Sequence, residues 1–136
     1  MTLVQLFLVD DNDDFLDGLS ESVAQRTDVQ IVGRAHSGRE ALDRLAEVSP
    51  DLVLVDMTLP DMSGLELTRR IKSRPKPPRV ALMTFHDSAA ARLVASTAGA
   101  DGLISEVEVR DKLMLLIEKL CYGSSMKRQR KGKETL

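Results

Sequence analysis

Apolar and polar positions follow two rhythms along this chain, and the pair recurs five times. Short aliphatic and β-branched runs at residues 3–9, 29–35, 52–55, 79–83 and 102–104 predict strands, each apolar enough to be buried on both faces. Longer segments between them carry apolar residues at helical spacing. The first places Phe15, Leu16, Leu19 and Val23 on one stripe and leaves Asp17, Ser20 and Glu21 to solvent. The second starts near Ser37, runs through Ala41, Leu42 and Leu45, and stops at Pro50, whose ring disfavours helical geometry at Ser49. The third begins beyond Ser63-Gly64 and ends in the cluster Pro75, Pro77, Pro78. The fourth spans about Ser88 to Ala98 and closes at Gly99. The fifth spans about Arg110 to Cys121 with Leu113, Leu116, Ile117 and Leu120 on one side, and Gly123 follows as a stop. Strands alternating with helices in this way predict βαβ units: a parallel five-stranded sheet with helices on both faces.

Composition narrows the picture. At 136 residues and 43% hydrophobic content the chain can bury one core but not two, so a single domain is expected over residues 1–123. A net charge of -2 with 29% charged residues argues against disorder and against a strongly nucleic-acid-seeking protein. Charge is unevenly placed: the first 123 residues sum to -6, whereas residues 124–136 sum to +4 through Lys127, Arg128, Arg130, Lys131 and Lys133 against Glu134. With no aromatic for stacking, that tail reads as a solvated, disordered end or linker, and direct nucleic-acid binding is not expected of it. Cys121 is the single cysteine, and His36 and His86 lie far from it in sequence, so neither a disulfide nor a zinc site is expected and a reducing cytoplasm fits best. The run at residues 3–9 is too short for a membrane span.

Candidate chemistry lies at the strand ends, because open parallel sheets carry their functional crevice beyond the carboxyl ends of the strands. Strand one ends in Asp10-Asp11, strand three in Asp56 and strand four in Thr84, while Ser105 and Glu106 follow strand five. A strand order of 2-1-3-4-5 would bring these ends side by side. Crowded carboxylates repel by several kcal/mol per close pair at an effective dielectric of about 20, unless a cation or protons intervene. A hard divalent cation such as Mg2+, which takes oxygen ligands and keeps room for water or phosphate, answers that need. Taken singly, Asp10 and Asp11 are also explained as an acidic strand terminus, and Asp56 with Pro60 and Gly64 as turn chemistry. Their occurrence together at successive strand ends favours the pocket.

In Phe7-Leu8-Val9-Asp10-Asp11, in residues 51–60 (DLVLVDMTLP), in Met62-Ser63-Gly64-Leu65-Glu66-Leu67, in Val80-Ala81-Leu82-Met83-Thr84 and in Gly99-Ala100-Asp101-Gly102, the chain resembles the receiver domains of bacterial response regulators. The resemblance covers about residues 3–121. It implies a doubly wound, flavodoxin-like (βα)5 fold and a cytoplasmic two-component phosphorelay. Asp56 would be the phosphoryl-accepting nucleophile. Asp11 and Asp56 would hold Mg2+ directly, Asp10 through a water, and Thr58 through its backbone carbonyl. Thr84 would donate its hydroxyl to the phosphoryl group. Implied partners are a histidine kinase or phosphotransfer protein and a downstream protein docking on helix four, strand five and helix five. A homodimer is also within the family's habit, and no membrane partner is implied. The domain would be no enzyme beyond its own phosphotransfer and dephosphorylation.

Two switch positions depart from the family pattern. The usual lysine after strand five is Glu106, and the usual aromatic three residues earlier is Leu103. Replacing a cation by an anion beside Asp56 reverses a Coulomb energy of about 4 kcal/mol at contact, which solvent or distance reduces. Arg110 and Lys112 read as surface residues of the last helix, not as substitutes, and His86 as a surface histidine. Met57, Met62 and Met83 read as core and pocket-wall residues. The departures leave two readings: a receiver with a modified switch, or a pseudo-receiver that binds a partner regardless of phosphate. A phosphatase of the haloacid dehalogenase type is disfavoured, because Met57-Thr58 follows Asp56 where that chemistry wants a second acid two residues on.

Overall fold

The structure, a computed structural model, describes residues 3–122. Five strands, β1 (Val4–Val9), β2 (Val29–Ala35), β3 (Leu52–Asp56), β4 (Arg79–Thr84) and β5 (Gly102–Ser105), form one sheet in the order β2-β1-β3-β4-β5. Every pairing is parallel. Five helices connect and cover it: α1 (Asp13–Val23), α2 (Gly38–Leu45), α3 (Gly64–Lys72), α4 (Ala89–Thr97) and α5 (Val109–Ile117). The basic tail expected beyond residue 123 lies outside the described residues.

Alternation along each central strand sorts side chains into two cores. Leu6 and Leu8 of β1, Leu52 and Leu54 of β3, and Ala81 and Met83 of β4 meet Leu16, Leu19, Leu113 and Ile117 of α1 and α5. Phe7, Val9, Val53, Val55, Val80 and Leu82 face the other way, onto Ala41, Leu67, Ile71 and Ala95 of α2, α3 and α4. Met83 is fully buried as expected, while Met57 and Met62 are half-buried beside the second core. Burial on both faces, expected of all five strands, holds for β1, β3 and β4. It fails at the edges: Gln30 of β2 is exposed, and Ile31 to Arg34 of β2 and Leu103 of β5 are half-buried. Periodicity does not reveal which strand lacks a neighbour.

Helix starts follow side-chain capping. Asn12, Ser37, Ser63 and Ser88 accept from the backbone N–H of Phe15, Glu40, Glu66 and Ala91, and Ser37-x-x-Glu40 and Ser63-x-x-Glu66 carry the capping-box pattern. Two helices end earlier than their sequences suggest. Before Pro50, α2 tightens into i to i-3 hydrogen bonds, Ala46 N–H to Asp43 and Glu47 N–H to Arg44, and its regular part stops at Leu45. The fifth helix is α-helical only to Ile117 and widens into a π-helical turn over Glu118–Tyr122 that keeps Leu120 in the core over Gly102.

The loop after β3 is held by a close backbone approach. A Cβ on Gly64 would stand 2.3 Å from the Asp56 carbonyl oxygen and 2.8 Å from Met57 Cα, atoms with no freedom to retreat. Gly64 also donates its N–H to the Met57 carbonyl at 2.7 Å. Gly64→Ala is therefore expected to lower stability by about 1–3 kcal/mol in urea unfolding. Gly102→Ala, which meets only the tips of Leu116 and Leu120 at 3.3 Å and beyond, is expected to cost less than about 1 kcal/mol.

Candidate functional site

The strand order decides which chain ends become neighbours. Val9 pairs with Val55, so Asp10 and Asp56 continue two adjacent strands. Asp56 pairs in turn with Met83, and Thr84 with Ser105. Carboxylate oxygens of Asp10, Asp11 and Asp56 all come within 4.8 Å of one another. Sequence proximity accounts for only one of these contacts, since Asp56 lies 45 residues beyond Asp11.

Asp10 is nearly sealed from solvent at 3% exposure, Asp56 is half-buried and Asp11 is exposed. Burial pushes the Asp10 carboxyl up to about 6, helped by the negative charges of Asp56 and Asp11 and opposed by the Asn12 N–H. That N–H reaches Asp10 Oδ1 at 2.9 Å, and the Thr58 N–H reaches Asp56 Oδ1 at 3.1 Å. Each carboxylate is thus oriented by the amide two residues on, the short loop folding back over its own strand end. Burial also raises Asp56, against the Thr58 hydrogen bond and a second one from Glu106.

Glu106 is the largest departure. Its N–H donates to the Thr84 carbonyl at 2.9 Å, and its carboxyl hydrogen-bonds the Asp56 carboxyl directly. Burial and then the negative charge of Asp56 push it up to about 8. Two carboxyl groups in contact share a proton when no cation stands between them. Its position beside Asp56 follows from the family pattern; the direct bond between the two groups does not, because it depends on where the β5–α5 turn aims the side chain.

Other expected residues occupy quieter places. Thr84 Oγ1 accepts from the His86 N–H at 3.2 Å and donates to the His86 carbonyl at 3.5 Å, so the hydroxyl braces the loop after β4. His86 is exposed. The Ser105 hydroxyl accepts from the Val107 N–H and shapes the β5–α5 turn. Lys112 pairs with Glu108, and the Arg110 guanidinium lies against Gly18 of α1. Leu103 is half-buried and lines a groove of about 230 Å³ together with Asp87, Arg92, Glu108 and Leu115. Exposed Leu93 and Leu115, at 69% and 64%, stand on α4 and α5, the helices that flank edge strand β5 on its two faces. Sequence reasoning missed Asn12 and Asp61. Asp61 accepts from the N–H groups of Gly38 and Arg39 at 2.8 and 2.9 Å, fastening the β3–α3 loop to the start of α2. An acidic residue in a loop carries no signal for a contact 23 residues away.

The donor set of three carboxylates suits a hard divalent cation and no soft one: oxygen only, two groups partly solvated, and like charges in want of neutralisation. Among the described residues, no helix is long and apolar enough to cross a membrane.

Comparison with known proteins gives one answer. The model of the response regulator receiver domain matches residues 6–118. The DNA-binding transcriptional activator DevR/DosR of Mycobacterium tuberculosis is 36% identical over 102 residues, 75% of this chain and 47% of that protein. The response regulator protein VraR of Staphylococcus aureus is 31% identical over 126 residues, 93% of this chain and 60% of that protein. The chain therefore spans about half the length of these relatives. Among solved structures, the receiver domain of the putative response regulator NarL from M. tuberculosis superposes with a TM-score of 0.80 at 27% identity, covering 88% of this chain and 96% of that one. A LuxR-family response regulator from Aurantimonas sp. gives 0.82 at 30% identity, covering 90% and 87%. The expectation against nucleic-acid binding gains no support from a relative that is itself a DNA-binding activator.

The Glu106–Asp56 contact makes stability depend on pH in a definite sense. Between its ordinary value of 4.5 and about 8, folded Glu106 holds a proton that the unfolded chain has released. Stability without metal therefore falls as pH rises through that window, and Asp10 adds to the fall between 3.8 and about 6. Urea unfolding in a chelator at pH 5 and pH 8 is expected to differ by about 1–2 kcal/mol after solvent screening, and Glu106→Gln is expected to remove most of the dependence above pH 6.

Proposed function

Since the chain belongs to the response regulator receiver family, we propose that it accepts a phosphoryl group on Asp56 from a histidine kinase or phosphotransfer protein and relays the change to a partner. The observation that carries this reading is the meeting of Asp10, Asp11 and Asp56 at one rim. An Asp56 oxygen attacks phosphorus as the bond from phosphorus to the donor's imidazole nitrogen breaks, leaving an acyl phosphate on the protein and a free histidine on the donor. Asp11 and Asp56 would hold Mg2+ directly, Asp10 through water and Thr58 through its carbonyl; when bound, the ion offsets charge on the phosphoryl oxygens. The amides of Asn12 and Thr58 keep the Asp10 and Asp56 carboxylates aimed at the rim. Thr84 would give up its hydrogen bonds to His86 and donate its hydroxyl to the phosphoryl group, releasing the loop it now braces. The groove beside Leu103 and the exposed Leu93 and Leu115 make the face of α4, β5 and α5 the surface offered to a downstream protein or a second copy. A cytoplasmic location accords with this role.

One observation favours a second reading. Glu106 is bonded to the nucleophile at the position where the family places lysine, so a phosphorylated Asp56 would lack its usual cation. On that reading the domain binds its partner whether or not phosphate is present, with Glu106 and Leu103 holding one conformation.

Incubation with Mg2+ and acetyl phosphate is expected to add the mass of one phosphoryl group to the wild-type chain and none to Asp56→Asn. An adduct on Asp56→Asn, or none on either, would overturn the first reading. Glu106→Lys is expected to lengthen the lifetime of the adduct roughly tenfold or more, by turning a repulsion into an attraction worth at least about 1–2 kcal/mol after screening. Equal partner affinity for wild type and Asp56→Asn, with and without phosphodonor, would favour the second.

A further inference from the structure

We propose that Asp61 is a positioning residue for phosphoryl acceptance: by tying the tip of the β3–α3 loop to the first turn of α2, it sets how Thr58 meets Asp56. The inference rests on the proposed function and adds to it a residue that touches neither phosphate nor cation.

The loop after β3 is closed at its base by bonds between its own two limbs. Gly64 donates its N–H to the Met57 carbonyl at 2.7 Å, and Thr58 and Ser63 form an isolated antiparallel bridge. Such bonds hold the limbs together but do not decide how the loop as a whole is inclined to the sheet. That inclination matters at the pocket. The Thr58 N–H orients the Asp56 carboxylate through Oδ1 at 3.1 Å, and the Thr58 carbonyl is the one proposed for Mg2+.

Contacts that reach outward from the tip set the inclination. Leu59 is buried in the second core, and Met62 fills the space that a side chain at position 38 would take, since a Cβ on Gly38 would stand 2.5 Å from its Cγ and Sδ. These apolar contacts are non-directional. Asp61 supplies the direction: Oδ1 accepts from the Gly38 N–H at 2.8 Å and Oδ2 from the Arg39 N–H at 2.9 Å. Bonds to a carboxylate are stronger than neutral ones, and two made side by side fix an angle as well as a distance. The Arg39 and Gly38 amides accordingly hold this carboxyl below the usual carboxylate range. Ser37 caps the same helix locally, its Oγ taking the Glu40 N–H at 3.1 Å and its carbonyl the Ala41 N–H at 3.0 Å. Asp61 adds a link across 23 positions of chain. Its side chain is exposed, so truncation opens no cavity, and its loss falls on the orientation of the loop more than on the core.

The test compares the full 136-residue chain with Asp61→Ala and Ser37→Ala, each checked for folding by circular dichroism. Ser37→Ala removes the local cap of α2 and keeps the bridge. With Mg2+ and acetyl phosphate, Asp61→Ala is expected to gain its adduct at least about fivefold more slowly than wild type, and Ser37→Ala within about twofold of it. Amide exchange in a chelator gives a second readout that owes nothing to phosphate or metal. The Thr58 N–H is expected to exchange at least about fivefold faster in Asp61→Ala, while the Asn12 N–H, which holds Asp10 in the same manner, stays within about twofold. Equal acceleration of both amides overturns the assignment, since loss of Asp61 would then loosen the whole domain. Unchanged Thr58 exchange, or an Asp61→Ala adduct formed at the wild-type rate, overturns it too and leaves the proposed function intact. An equally slow Ser37→Ala does the same, because the start of α2 and not the bridge would then set the rate. Absence of an adduct on the wild-type chain overturns the proposed function and this assignment with it.

Discussion

Mutual repulsion among carboxylates gathered at one rim of the sheet is the constraint around which this molecule is organised. Asp10, Asp11 and Asp56 stand where a parallel sheet of order β2-β1-β3-β4-β5 delivers the ends of β1 and β3 side by side, and Glu106 arrives from β5. Left to themselves, four such groups would separate. Asp10, Asp11 and Asp56 stay because their backbones sit at the ends of β1 and β3, whose middle residues, Leu8 and Leu54 included, are fully buried. Hydrophobic burial below the rim therefore supplies the free energy that holds like charges together above it.

The response of the site to that strain is visible atom by atom. The amides of Asn12 and Thr58 turn back onto Asp10 and Asp56, and Glu106 and Asp56 meet through a hydrogen bond between two acids. Each of these compensations is partial, since Asp10 and Glu106 remain well above the usual carboxylate range. An incompletely compensated pocket is one that gains from binding a cation, and functional sites commonly keep such residual cost. The loops that carry it are short and tied to the frame, through Gly64 under the Asp56 carbonyl and through Asp61 on the first amides of α2.

Much of this was legible in the residues. The five-fold succession of strand and helix rhythms located each element to within a few positions, because buried strands and amphipathic helices differ in period. Strand ends were legible for the same reason, and with them Asp10, Asp56 and Thr84. Edges were not: Gln30 and Ile31 of β2 lie in a run apolar enough to pass for a central strand, and only the sheet order leaves Gln30 exposed and Ile31 half-covered. The early end of α2 and the π-helical turn after Ile117 escaped too, since both reflect how a helix end settles against its neighbours. Thr84 was expected to look toward the phosphoryl site, whereas its hydroxyl is engaged with His86 in this state.

By itself the sequence determined the period of every element, the acidic character of the strand ends, and the replacement of lysine and an aromatic by Glu106 and Leu103. Those are properties of neighbours along the chain. Only the tertiary structure decided that the Glu106 carboxyl turns onto Asp56 and not outward to water, that Asp10 is sealed while Asp11 is wet, and that Arg110 rests on Gly18. These are consequences of desolvation and of contacts between residues tens of positions apart, energies that come into being when the sheet closes and that no local pattern encodes.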